Sequence, residues 1–432
     1  MWKFMKIGEK TSDVSTVVND PSFKPILIDN LEVKLLKEDE RGKMYVLRNP
    51  NNMQYIKLHE SVLKILNLFD GEKSIEDLSQ AIKKANLPID THEFIKLLAE
   101  EGFIKNISLP QKKGRGDIFS FKIRLFTMTE KRMELLKKLF LFVKNPVFKV
   151  FYGIFCSIGL FLFIYNLPQI FSVVVSLMSP ETPLFPLLLS VMIFFLVEFA
   201  HEFAHVVSYY YYGGKSSDIG IEFHFLIPFF YTSTPDAVWM ESYKQIIIFI
   251  TGPLTSIFFA EVFTLLFIFE PTLRYIWAHH SFFWHISALI TLSPFLRTDG
   301  YFIAQAKTKF PNLLEHGFDT LMKAFQVLIG KTSLQGFKEH LSQYSAYEKK
   351  ILKVYVPLFP IVAGVLVFIF VFTSLQFGIL EVLSMTPQIF SGSVQGAKTY
   401  VLWIMYVLSI VFLFVGMIGT LTNIFKKLKE NK

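Results

Sequence analysis

Residues 185–212 read FPLLLSVMIFFLVEFAHEFAHVVSYYYY, an apolar run interrupted by His201-Glu202-Phe203-Ala204-His205. About 20 apolar residues suffice for a helix to cross a bilayer. Titratable groups at that depth are costly and call for a functional explanation. Residues four apart on a helix share one face, so His201 and His205 can reach a single metal ion while Glu202 stays free beside it. With ten histidines in 432 residues, chance would give about 0.01 such patterns. The motif therefore outweighs a reading as incidental buried histidines.

The rest of the chain fits a membrane setting. It is 52% hydrophobic and only 19% charged, below the roughly 25% typical of soluble domains. Its forty-eight phenylalanines suit a lipid-facing surface. Six spans are expected near 148–170, 185–212, 245–269, 278–297, 354–378 and 400–424, with Pro168 breaking the first run and leaving 167–180 as an interfacial or re-entrant piece. Lysine and arginine set the orientation. KRMELLKKLFLFVKNPVFK precedes the first span, seven lysines from Lys307 to Lys350 follow the fourth, and the tail is KKLKENK. The segments 171–184, 270–280 and 379–399 hold only Arg274 and Lys398. Both termini are thus expected in the cytoplasm of a multi-pass protein of the bacterial cell membrane. The net charge of +8 then faces the inner leaflet and implies no nucleic acid. The lone Cys156 excludes an internal disulfide. The N-terminus, MWKFMKIGEKTSDVS, has no apolar core and does not read as a signal peptide.

Ahead of the membrane part, residues 1–26 read as a flexible N-terminus and 27–107 as a small soluble domain. LEVKLL, MYVLRN and MQYIKL alternate as strands. Helices are expected from His59 to Phe69, from Ser74, where Asp77 forms a capping-box partner, and from Thr91 to Glu101. The overall expectation is an α-helical polytopic membrane protein of about six spans with a small N-terminal α+β winged-helix-like domain. The third helix sets Glu93, Glu100 and Glu101 against Lys96, which is no basic recognition helix. The stretch YVLRNPNNMQYIKLHESVLKILNLFDGEKSIEDLSQAI resembles PqqD-like domains, which bind the leader peptides of ribosomally made, modified peptides. That resemblance implies capture of a peptide as an added strand on the sheet edge; docking onto the membrane part is the alternative. Residues 108–147 read as a basic linker, 148–300 as the membrane core, 301–353 as a cytoplasmic amphipathic connector, and 354–432 as C-terminal spans with a basic tail.

A catalytic zinc takes three protein ligands and leaves a fourth position for water. The best third candidate is Asp299, in Leu292-Ser293-Pro294-Phe295-Leu296-Arg297-Thr298-Asp299-Gly300-Tyr301. At 1.5 Å per residue, about 24 Å of helix separates Phe185 from His201 and about 25 Å separates Phe282 from Asp299. Both ligand sets then fall in the cytoplasmic half of the membrane.

HEFAH at 201–205, Gly252-Pro253 in ITGPLTS, and the run from Pro294 to Asp299-Gly300 together resemble the site-2-protease family of intramembrane zinc metalloproteases over about 185–300. The resemblance implies Zn²⁺ as cofactor, His201, His205 and Asp299 as its ligands, and Glu202 as general base. Ser293 and Ser256 stand where family members often carry asparagine. Glu198, Gly252, Pro253, Ser293 and Pro294 are expected around the site. The DGYF ending resembles the subgroup found beside modified-peptide gene sets.

The implied function is cleavage of a peptide precursor or membrane-protein substrate delivered by the N-terminal domain. Export would fall to a separate protein, because no ATP-binding motif is recognisable. Two alternatives stay open: regulated proteolysis of a membrane-anchored transcription or stress regulator, and a non-enzymatic peptide receptor or immunity protein. IGIEFHFLIPFFYTSTP at 219–235 is rich in β-formers and suits pairing with an extended substrate. His224, His279, His280 and His285 are alternative ligands. His279 and His280 are expected at the outer interface and His285 between helices, and Glu261 has a similar structural reading.

Overall fold

The computed structural model describes residues 20–40, 42–50, 55–87, 89–107, 120–128, 140–177, 184–214, 217–224, 227–310, 312–374 and 380–392, with a few isolated positions near 134–138 and 399–411. The chain forms two compact units.

The first unit comprises Met1–Ile118, Pro235–Glu241 and Ser342–Tyr347. Its sheet holds β1 (Glu32–Asp39), β2 (Gly42–Arg48) and β3 (Tyr55–His59) in that order, antiparallel throughout. Gly42, at φ +112°, closes the first hairpin in a conformation that side chains disfavour. Three helices follow: α1 (Glu60–Leu66), α2 (Ile75–Lys84) and α3 (Thr91–Glu100). The first ends three residues short of Phe69, because Asp70 Oδ1 accepts the N–H groups of Glu72 and Lys73 and turns the chain. The expected capping box exists in full: Ser74 accepts from the Asp77 N–H and Asp77 from the Ser74 N–H. Leu47, Leu58, Ile75, Leu78, Phe94 and Leu98 form a dry core between sheet and helices. Removing such area from water contributes about 25 cal/mol per Å².

This unit also takes in a segment from much later in the chain, containing a single 3-10 turn (Ala237–Trp239). Arg48 bonds Asp236, lies 3.4 Å from Glu32 and sits 5.9 Å over the Trp239 ring. Lys34 Nζ donates to the Trp239 carbonyl. Arg48 and Asp236 are both buried, so each charge needs the other. The Glu40 carboxylate accepts the Ala346 N–H at 2.5 Å.

In the second unit, α4 (Pro146–Leu177), α5 (Leu184–Tyr211) and α6 (Ser242–Phe269) contain stretches long and apolar enough to cross a membrane, the only three such helices among the described residues. The chain is therefore a membrane-type helical protein. The α4 helix runs through Pro168 to Leu177, so the expected break there does not form, while 178–180 lie outside the described residues. Proline removes one backbone bond, and within a long apolar helix that loss is tolerated. The next helix, α7 (Arg274–Thr291), stops well before residue 297, because the residue preceding Pro294 is disfavoured in helix. After it come α8 (Asp299–Thr308), α9 (Leu313–Leu328), α10 (Leu334–Ser342), α11 (Ala346–Ser374) and α12 (Leu380–Phe390). Most of the expected fifth span lies in α11, whereas the expected sixth, 400–424, lies almost wholly outside the described residues.

A second sheet, β4 (Ser120–Met128), β5 (Ser217–His224) and β6 (Ile227–Thr232), lies in this unit in that order, antiparallel. Part of the expected linker is thus a strand. The segment 219–235 folds as a hairpin whose last strand, β6, lies at a sheet edge and packs on α5.

Candidate metal centre

The α5 helix carries His201 and His205 one turn apart, both buried, with ring centroids 4.9 Å apart. Asp299 arrives from the turn after α7. Pro294 prevents α7 from continuing, Thr298 is extended (φ −117°, ψ −173°), and α8 restarts at Asp299. Gly300 permits this re-entry: a β-carbon there would stand 2.1 Å from the Leu292 carbonyl oxygen. A carboxylate in the first turn of a helix is favoured by the aligned peptide dipoles.

Four ligand atoms from three residues converge. His201 Nε2 and His205 Nε2 are 3.2 Å apart, Asp299 Oδ2 is 3.1 Å from His201 Nε2, and Asp299 Oδ1 is 3.3 Å from His205 Nε2. Ligands at about 2.0–2.1 Å from a tetrahedral ion are separated by about 3.3 Å. The observed triangle has that size. Among the described residues it is the one His/Cys/Asp/Glu group able to hold an ion.

The outer nitrogens explain the orientation. His205 Nδ1 is 2.6 Å from the Ile248 carbonyl, which can only accept, so Nδ1 carries the proton and Nε2 presents a lone pair. His201 Nδ1 is 2.8 Å from Ser256 Oγ, which likewise fixes its ring. Two imidazole nitrogens and a carboxylate packed this closely offer their ligand atoms to a single cation. Imidazole and carboxylate donors fit zinc and equally other divalent transition metals such as iron.

One face of α6 supplies the support. Gly252, Pro253 and Ser256 are all buried there. A β-carbon on Gly252 would lie 2.2 Å from His205 Nε2 and 2.5 Å from His201 Nε2. Only glycine leaves room for the imidazoles. Pro253 lies inside α6 without breaking it.

Glu202 is beside the triangle, and its Oε2 accepts from Thr232 Oγ1 at 2.8 Å. Glu198 is half-buried one turn earlier and has no hydrogen bond to a described side chain. Ser293 is buried, and its Oγ accepts the Phe295 N–H at 3.3 Å. The Pro294 carbonyl accepts from Tyr355 at 2.8 Å. These two residues shape the turn that delivers Asp299.

The remaining histidines stay apart from this cluster. His280 is buried with its Nε2 3.0 Å from Ser190 Oγ. His279 is partly buried beside it. His285 Nε2 faces Glu261 Oε1 at 3.1 Å between α7 and α6, with Phe163 of α4 stacked on its ring. The His224 backbone pairs with Ser120 and Ile227. The roles of Thr232 and the Ile248 carbonyl had no signal in the sequence. Ser256 did have one, since it lies four residues from Gly252 and so on the same helical face. No family model, curated protein or solved structure matches this chain.

Proposed function

We propose that this protein is a zinc metalloendopeptidase working within the bilayer, with Glu202 as general base. The observation that carries the reading is the triangle of His201 Nε2, His205 Nε2 and the Asp299 carboxylate, with separations of 3.1–3.3 Å and the Glu202 carboxylate beside it. Its two histidines lie in a helix apolar enough to span a membrane, and a second such helix, α6, packs against them. A bound zinc ion supplies a Lewis acid that makes water nucleophilic near neutral pH and polarises the scissile carbonyl.

The chain's own groups do the rest. His201, His205 and Asp299 would hold the ion. Glu202 accepts the proton of the attacking water and passes it to the departing amine as the C–N bond breaks. Apolar walls around the histidines exclude bulk water, which strengthens each electrostatic contact. The substrate must be extended where it is cut, and the edge strand β6 offers a backbone ladder for it.

The substrate class we assign is a peptide precursor, of the ribosomally made and modified kind, bound first by the N-terminal unit. Tethering raises its concentration at the active site. We further assign six spans, with both termini cytoplasmic. The test is incubation of purified protein with the small precursor encoded beside its gene, read by mass spectrometry. Cleavage is expected from wild type, and none from Glu202→Gln or after chelation. Equal cleavage by Glu202→Gln would refute the assignment.

A further inference from the structure

The catalytic carboxylate assigned above is held from outside its own helix. Thr232 Oγ1 donates to Glu202 Oε2 at 2.8 Å. Thr232 is the last residue of β6 and pairs with Ile219, which is fully buried in β5. One residue further, Ser233 and Asp218 exchange two hydrogen bonds of 3.0 Å: the Ser233 N–H donates to the Asp218 carbonyl, and the Asp218 N–H to Ser233 Oγ. Asp218 Oδ1 in turn accepts from Thr127 Oγ1 of β4 at 2.5 Å. Three strands therefore fix the backbone from which the Thr232 hydroxyl reaches the base.

A glutamate side chain has three rotatable bonds, and ordering them costs free energy. Threonine is stiff at χ1 and its hydroxyl donates a single proton. A donor locked to Oε2 selects one carboxylate orientation and leaves Oε1 as the oxygen without that partner.

We infer that Thr232 is a positioning residue for Glu202. It engages Oε2 so that Oε1 is the oxygen that takes the proton of the attacking water and returns it to the leaving amine. This rests on the peptidase reading. It adds that the strand offered to an extended substrate is the one that aims the base, so a displaced β6 would disarm the site without touching a metal ligand.

The experiment uses the full chain, zinc-loaded in detergent, with dye-quenched β-casein as an unstructured probe. Thr232→Val, which keeps the shape and removes the donor, should lower kcat roughly 10-fold and leave KM within about twofold, with zinc content and melting temperature unchanged. Thr232→Ser should restore most of kcat. Acetohydroxamate, which yields its proton to the base as it binds, gives a readout that needs no cleavage: its affinity should fall roughly 10-fold in Thr232→Val and recover in Thr232→Ser. Wild-type kcat and hydroxamate affinity in Thr232→Val would overturn the inference. A kcat loss matched by lost zinc or a lower melting temperature would also overturn it, because Thr232 would then only tie sheet to helix. If Glu202→Gln cleaves casein as wild type does, the peptidase reading fails, and the hydroxamate affinities alone decide whether Thr232 positions Glu202.

Discussion

Gly252 lies so close to His205 that a β-carbon on it would stand 2.2 Å from His205 Nε2. The absence of a side chain on α6 is thus what lets two imidazoles of α5 turn inward together. Gly252→Ala should displace both rings. Zinc content measured by atomic absorption is expected to drop to background, while the protein remains membrane-inserted and helical by circular dichroism. Full zinc occupancy would show that the imidazoles reach the metal by another route.

Ser256 works more gently. It meets His201 through Nδ1, and loss of such an outer partner weakens metal binding by about 10–100-fold. Ser256→Ala should therefore release zinc to a competing chelator at lower concentration than wild type, whereas Ser256→Thr, which keeps the hydroxyl, should not.

The buried pair of Glu261 and His285 yields a stability prediction. His285 Nδ1 donates to the Ser281 carbonyl at 2.7 Å, which leaves its Nε2 facing Glu261 Oε1 at 3.1 Å. Glu261→Gln keeps a hydrogen-bonding group there and should be nearly neutral. His285→Phe strands a buried carboxyl, at a cost of about 3 kcal/mol. Thermal unfolding followed by a thiol dye on Cys156 would separate the two, and equal melting temperatures would contradict the assigned bond.

In the first unit, burial pushes the Lys57 amine down to about 8. Between about pH 8 and its ordinary value near 10.5, the unfolded chain binds more protons than the folded one. Stability therefore rises with pH through that window, and below it the penalty is present in full. Lys57 keeps some exposure, so the effect is about 1 kcal/mol. Lys57→Met should raise neutral-pH stability by that amount and flatten the rise, as read by pulse proteolysis in urea at pH 7 and pH 10.

The metal triangle was legible because helix periodicity and motif spacing place His201 and His205 without tertiary information, and the Pro294–Gly300 turn delivers the third ligand. Thr232 was not legible, since only the register of β6 against β5 decides which hydroxyl meets Glu202. Strand β4 was hidden by its charges, although Lys122 and Arg124 alternate with Phe121, Ile123 and Leu125 in a two-residue period. Pro168 misled for a different reason. A rule suited to helices in water was applied to one whose surroundings give freed backbone groups nowhere better to go.

Arg48 meets Asp236, and Glu40 meets the Ala346 N–H, so the unit at the front of the chain is completed by residues from far behind it. During translation Arg48 emerges early, and its carboxylate partner leaves the ribosome only after two long apolar helices have been made. A fragment stopping at residue 118 would keep the Glu32 contact of Arg48 but lack Asp236 and the Trp239 ring. A nascent chain stalled before residue 236 therefore leaves this buried ion pair unmade.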